Sequence, residues 1–234
     1  LADFQVVSWI LARFATIDQV KAAINDVRII NIDKRSSTVH WRFTEPSGRQ
    51  IVLEIVDEKL HFYENKLGVL TNSPGLEWHW TNLNNYLNLT PGAVPEHAFG
   101  SIVIPPFGGG SGMLGLPGDV TSPSRFIRAT FYQITAPQQD TSRQTVFQAF
   151  HILNNFDIPV GIQFPMGKAP ADVPSATQFT AASDTHERLL YYKTMYNNNI
   201  RCIDLKSIDF EKASYQSHPL DEIKQQPVTM IQVK

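Results

Sequence analysis

Apolar residues recur along this chain in two rhythms, one of about 3.6 residues and one of two. Phe4, Val7, Leu11 and Phe14 keep the helical rhythm at the start, with Ile10 widening the stripe. Thr16-Ile17-Asp18-Gln19 is a capping-box pattern, and Val20, Ala23, Ile24 and Val27 give the helix behind it an apolar face. The rhythm then shortens. Val39, Trp41 and Phe43 alternate with polar residues, Glu45-Pro46-Ser47-Gly48 turns the chain, and Ile51, Leu53 and Ile55 alternate on the way back. Asp57-Glu58 and Glu64-Asn65 punctuate two more strands, the last over residues 67–71. Connections this short cannot cross over a sheet, so the pattern predicts an antiparallel meander.

From 74 to 123 the chain is rich in Gly, Pro and Asn, which predicts long loops around a short helix. Loops that long inside a compact domain are more often functional than idle. Val146, Phe147, Phe150 and Leu153 then mark an amphipathic helix capped near Asp140-Thr141. Further strands are expected at 177–182, 189–194, 200–205 and 228–233, with turns at Asp184-Thr185-His186-Glu187 and Asn197-Asn198-Asn199. Helices and strands come in separate runs, which indicates an α+β layered fold. No internal repeat or low-complexity linker divides residues 1–234, so they read as one domain.

Composition narrows the function classes. At 42% hydrophobic and 18% charged the chain is globular in character, and a net charge of -2 without a basic stripe argues against a nucleic-acid partner. The single cysteine, Cys202, excludes an intrachain disulfide and a zinc cluster built from thiolates. That suits the cytoplasm, and the periplasm nearly as well. No apolar run reaches bilayer-spanning length. Leu1-Ala2-Asp3 lacks both a basic start and an initiator methionine, so the expectation is a chain cut out of something longer.

Among candidate motifs, Gly110-Ser111-Gly112-Met113-Leu114-Gly115 matches the dinucleotide fingerprint in letters only. That fingerprint works between a strand and a helix, whereas here Pro105-Pro106 precedes it and Leu116-Pro117-Gly118 follows. It reads as a flexible loop with several positive-φ positions. The histidines at 40, 61, 79, 97, 151, 186 and 218 form no pair at ligand spacing on one helix, and His40 and His61 read as packed or half-exposed strand residues. No nucleophile elbow is present. Cys202 sits inside a predicted strand, where a small buried residue is the ordinary reading.

Two segments stand apart. Val69-Leu70-Thr71-Asn72-Ser73-Pro74 ends a predicted strand and leads into Trp78-His79-Trp80-Thr81-Asn82-Leu83-Asn84-Asn85-Tyr86. Gly115-Leu116-Pro117-Gly118-Asp119 leads into Ser122-Pro123-Ser124-Arg125-Phe126-Ile127-Arg128-Ala129. A carboxamide at a strand end can aim its N–H at a developing oxyanion. A guanidinium nearby can stabilise a thiolate or an anionic intermediate. Taken singly, Asn72 also reads as a turn former and Arg125 as a surface ion-pair partner.

Together these segments resemble the choloylglycine hydrolase family of bile salt hydrolases and penicillin V acylases. Ile158-Pro159-Val160-Gly161, Thr177-Gln178-Phe179-Thr180 and Tyr191-Tyr192 extend the likeness through essentially the whole chain. The resemblance implies the four-layer αββα sandwich of N-terminal-nucleophile hydrolases, of which this chain would be the C-terminal portion without its N-terminal strands. It implies hydrolysis of a linear amide, a conjugated bile salt or a penicillin V-type substrate, with no cofactor and no metal. The family's nucleophile is an N-terminal Cys whose own α-amino group is the base, which removes the need for a triad. That Cys would lie before Leu1, so residues 1–234 alone are expected to be inactive.

Carried over, Asn72 matches the oxyanion-hole asparagine and Arg125 the arginine beside the cysteine, while Arg128 reads as a helix-surface or packing residue in preference to a catalytic one. Trp78 and Trp80, with Tyr86 and Phe107, would suit an acyl or aryl chain. The expected partners are the small-molecule amide, the missing N-terminal segment and further copies in a homo-oligomer, often a tetramer; neither nucleic acid nor a membrane span is expected. Two other readings remain at this point: a ligand-binding or structural protein that keeps the scaffold without the chemistry, and an amidase of the same family acting on N-acyl amines such as acyl-homoserine lactones.

Overall fold

In the computed structural model, which describes residues 1–32, 39–165, 167–169, 171 and 176–233, contacts divide the chain into two units, Leu1–Thr135 and Ala136–Lys234. The first unit opens with a single 3-10 turn, Asp3–Gln5, then α1 (Val6–Leu11) and α2 (Ile17–Ala23). The capping box forms: Gln19 N donates to Thr16 Oγ1 at 3.3 Å and Thr16 N donates to Gln19 Oε1 at 3.2 Å. The apolar stripe of α1 differs from the predicted one. Ile10 and Phe14 of that stripe pack into the core together with Val6, whereas Phe4, Val7 and Leu11 are exposed. Both sets have helical spacing, so the spacing could not choose between them. The rotation of α1 is set where the chain start is tied to residues 28–30, by Ile30 N to Leu1 O at 2.8 Å and Asp3 N to Ile30 O at 3.0 Å.

β1 (Trp41–Thr44), β2 (Gln50–Val56) and β3 (Lys59–Glu64) form the predicted antiparallel meander in the order β1-β2-β3. Gly48 closes the first turn at φ +87, and Asp57 and Glu58 close the second at φ +49 and +61. Two successive positive-φ residues match the twist of the flanking strands. Ile51, Val52 and Leu53 of β2 are all fully buried, so both faces of the strand are covered. Leu53 and Trp41 pack with Val6, Ile10, Val20 and Ile24. On the opposite face Val52 packs with Val69, Leu76 and Phe126. Burial of each such side chain stabilises the fold by roughly 1.5–3 kcal/mol.

The strand expected at 67–71 is absent. Gly68 at φ +66 interrupts the extended run, and the segment is held by its buried Val69 instead. Beyond it lie α3 (Leu76–Asn82), a short hairpin of β4 (His97–Phe99) and β5 (Ile102–Ile104), and α4 (Ser122–Thr135). Pro123 is tolerated in the first turn of α4, where its missing N–H breaks no helical bond. The Gly-rich loop has neither flank of a dinucleotide site. Gly112 instead exchanges bonds with a neighbouring loop, Thr90 N to Gly112 O and Gly112 N to Gly92 O, both at 2.9 Å. A Cβ at Gly112 would collide with the Thr90 carbonyl oxygen.

The second unit contains α5 (Ser142–Leu153), capped by Thr141, whose hydroxyl accepts from Gln144 N at 3.2 Å. Its sheet is β6 (Phe179–Asp184), β7 (Leu189–Thr194) and β8 (Asn197–Asp204), again antiparallel in sequence order. Asn197-Asn198-Asn199 begins β8 rather than forming a turn; the turn is Met195-Tyr196, with Asn197 N donating to Thr194 Oγ1 at 3.1 Å. No strand forms at 228–233, where Val228, Met230, Ile231 and Val233 are exposed. Cys202, expected to be buried, is exposed on β8. β8 is an edge strand with little covering it, so alternation there does not translate into burial.

Candidate active site

Three elements of the first unit, β2, α3 and α4, build a polar cluster around Asn72. Glu54 on β2 is buried, and both of its carboxylate oxygens accept from Leu76 N, at 2.9 and 3.1 Å. A carboxylate at the first residue of α3 satisfies a free backbone N–H and complements the helix dipole. It also anchors the start of the helix that carries Trp78, His79 and Trp80. Gly75 is needed for this approach, since a Cβ there would lie 2.8 Å from Glu54 Oε2. His40, one residue before β1 rather than on a strand, places Nδ1 3.3 Å from Glu54 Oε1.

α4 supplies the other half. Asp119 precedes it and accepts from Ser124 Oγ at 2.6 Å and from Thr121 N at 2.9 Å. The Ser124 hydroxyl first, then the Thr121 hydroxyl and N–H, hold the Asp119 carboxyl down at about 2. Arg128, read from the sequence as a helix-surface or packing residue, is buried, and its Nη1 donates to the carbonyls of Pro117 and Asp119, both at 2.7 Å. It clamps the loop that enters the helix.

Arg125 and Asn72, picked out 53 residues apart, meet. Arg125 Nη2 donates to Asn72 Oδ1 at 2.6 Å, and Arg125 Nε donates to Val120 O at 3.0 Å. Arginine only donates, so the contact fixes which end of the carboxamide is oxygen. The Nδ2 group of the exposed Asn72 is left without a protein partner among the described residues. Burial, then the charge of Arg128, lowers Arg125 from its ordinary value. It remains a cation, because a guanidinium does not deprotonate in proteins.

The main chain of Asn72 is held as well. Its carbonyl lies 3.0 Å from His79 Nε2 and 2.8 Å from Ser122 Oγ, and Thr71 Oγ1 donates to Ser122 O at 3.2 Å. His79 is fully buried and stacks on Phe126 with ring centroids 4.5 Å apart. Burial pulls it below the ordinary histidine value, against the Asn72 carbonyl, which pulls it up. Sequence reasoning had no role for His79, Ser122 or Glu54. The available signal was Leu76, His79 and Leu83 sharing one helical face, which places a histidine on a buried stripe.

The two tryptophans part company. Trp78 is 46% exposed. Trp80 packs into the cluster of Val52, Leu76 and Phe126, edge-on to Tyr63 at 5.9 Å. Cys202 lies in the second unit, opposite Tyr191 in the β7–β8 register. No group of three His, Cys, Asp or Glu able to hold a metal occurs among the described residues. No helix among them is long and apolar enough to cross a membrane.

The chain is 36% identical over 201 residues to a bile salt hydrolase/transferase of Clostridium perfringens, covering 84% of this chain and 60% of that protein. It is 31% identical over 226 residues to a bile salt hydrolase/transferase of Lactiplantibacillus plantarum, covering 94% of this chain and 68% of that one. Among solved structures, a variant of the conjugated bile acid hydrolase from Clostridium perfringens superposes with a TM-score of 0.85 at 32% identity, over 99% of this chain and 70% of that one. The fold is thus the α+β fold of N-terminal-nucleophile hydrolases. The family described as linear amide C-N hydrolases, choloylglycine hydrolase family, matches residues 1–218, and the chain belongs to it.

Proposed function

We propose that this protein hydrolyses the amide bond of a conjugated bile salt, with Asn72 as an oxyanion donor and Arg125 as its electrostatic support. The observation that carries the proposal is the 2.6 Å bond from Arg125 Nη2 to Asn72 Oδ1. It engages Oδ1 of the carboxamide and leaves Nδ2 to donate elsewhere, and it brings a cation beside the place where negative charge would develop. Bile salts are the favoured substrates because the relatives at 36% and 31% identity are both bile salt hydrolase/transferases. The single match of the family runs from 1 to 218, which supports one domain as the unit of function.

The nucleophile is proposed to be a chain-terminal cysteine outside residues 1–234. Cys202 cannot serve, since its amino nitrogen is locked in a peptide bond in the middle of β8. The terminal α-amino group would take the thiol proton as sulfur attacks the amide carbon. Charge then develops on the carbonyl oxygen, where Nδ2 of Asn72 would donate. Collapse of the intermediate breaks the C–N bond, the same proton passes to the leaving amine, and water hydrolyses the thioester. The exposed Trp78 offers an apolar surface for the acyl portion, while Trp80 packs against the cluster of Val52, Leu76 and Phe126. The working assembly is proposed to be a homo-oligomer, which light scattering would test.

The full-length protein should release glycine or taurine from conjugated bile salts faster than it turns over penicillin V or acyl-homoserine lactones. Asn72→Ala should lower kcat by roughly 100-fold or more. A protein that hydrolyses none of these amides would overturn the proposal in favour of a binding role.

A further inference from the structure

The grip on Asn72 is split between its side chain and its main chain. Arg125 holds the carboxamide. His79 holds the carbonyl, with Nε2 3.0 Å from Asn72 O. The same nitrogen lies 3.3 Å from Thr71 Oγ1, whose own proton goes to Ser122 O. With the hydroxyl proton so engaged and a carbonyl that only accepts, Nε2 carries the proton and Nδ1 the lone pair. Among the described residues Nδ1 is buried without a hydrogen-bond partner. An orphaned buried nitrogen carries a cost that an apolar residue of the same shape would avoid. Stacking on Phe126 alone would be served as well by a phenylalanine. What histidine adds here is the Nε2–H.

The rest of the cluster points the same way. Ser122 Oγ lies 2.8 Å from the same carbonyl. Ser122 and Arg125 are three residues apart on α4, one turn, so a single helix reaches both ends of Asn72. α3 arrives from the other side with His79, and Glu54 anchors its first residue. The carbonyl is pinned by two elements, which leaves the side-chain torsions to be set by Arg125.

We propose that His79, as its Nε2–H tautomer, is the positioning residue that fixes the Asn72 main chain so that the carboxamide meets the oxyanion. This rests on the reading of Asn72 as the oxyanion donor. Displacing a donor by a fraction of an ångström weakens the bond most where charge is greatest, so the effect should fall on kcat rather than on KM.

The test uses the full-length protein and the conjugated bile salt it hydrolyses fastest, with Asn72→Ala, His79→Phe, His79→Gln and Asn72→Ala/His79→Phe. His79→Phe should lower kcat by about tenfold or more with KM within about twofold. His79→Gln retains an N–H that can reach the carbonyl and should restore much of the loss. In the Asn72→Ala background the same Phe substitution should cost less than about twofold, because its route runs through Asn72. Wild-type kcat in His79→Phe, an undiminished loss in the Asn72→Ala background, or no recovery with Gln would each overturn the role. If His79→Phe does not fold, the ¹⁵N spectrum of the wild-type imidazole decides: a proton on Nε2 supports the assignment and one on Nδ1 overturns it. Asn72→Ala separates the two levels. Undiminished turnover there removes the oxyanion reading itself, whereas a crippled Asn72→Ala beside an active His79→Phe removes only the role of His79.

Discussion

The two three-stranded meanders have the same topology and opposite circumstances. In β1–β2–β3 the central strand is buried on both faces, Leu53 among residues of α1 and α2, and Val52 against Leu76 and Phe126. In β6–β7–β8 the edge strand β8 is mostly exposed, Ile203 at 40% and Cys202 included. Alternating apolar residues are legible in both. What differs is what each sheet has to lie against. The contrast bears on chemistry: the sheet covered on both faces can bury Glu54, which anchors α3 and with it His79, whereas the thinly covered strand holds its only thiol in the open.

Substitutions sharpen this contrast, beginning with the largest effects. Phe126→Ala should destabilise the first unit by about 3–5 kcal/mol, because the ring fills a sealed site between β2 and α3. Thermal unfolding would measure it, and a loss under about 1 kcal/mol would mean that the covered face is loosely packed. Leu53→Ala on β2 should cost about 2–5 kcal/mol, against less than about 1 for Ile203→Ala on β8. Equal losses would erase the distinction between the sheets. Arg125→Leu should lower kcat while leaving the melting temperature close to wild type, as it frees the Asn72 carboxamide without opening the core. Unchanged kinetics would remove Arg125 from the site.

A smaller effect should appear with pH. His79 has its folded value depressed by burial from the ordinary 6.5. Between the two values the unfolded chain binds a proton that the folded chain refuses, so stability falls as pH drops below about 6.5. His79→Gln should remove that part of the slope in a melting-temperature series, and an identical slope would show that other groups produce it. Thr141→Ala, which deletes the cap of α5, should cost only about 1 kcal/mol.

How much of this was legible depends on the range of the interaction. The capping box at Thr16/Gln19 and the cap near Asp140-Thr141 were readable because such partners sit within one turn. The inward face of α1 was legible only in part: Ile10 and Phe14 pack inward as read, but Val6 and Phe4/Val7/Leu11 fit the same periodicity, and bonds to residues 28–30 made the choice. The strand expected at 67–71 failed for a local reason, the positive φ of Gly68. The one expected at 228–233 is exposed and forms no strand, because apolar alternation cannot create a neighbour to pair with.

The sequence by itself determined the α+β class, the first two helices and the meander behind them, α5, the family, and Asn72 and Arg125 as the residues to watch, since each is written in local patterns or in motifs read together. Only the tertiary structure decided that the guanidinium and the carboxamide touch, that Arg128 is a buried clamp, and that His79 holds the Asn72 carbonyl. Those facts depend on directions of side chains brought together across 53, 11 and 7 residues, by two helices packing on one face of β2. Spacing along the chain carries no record of such directions.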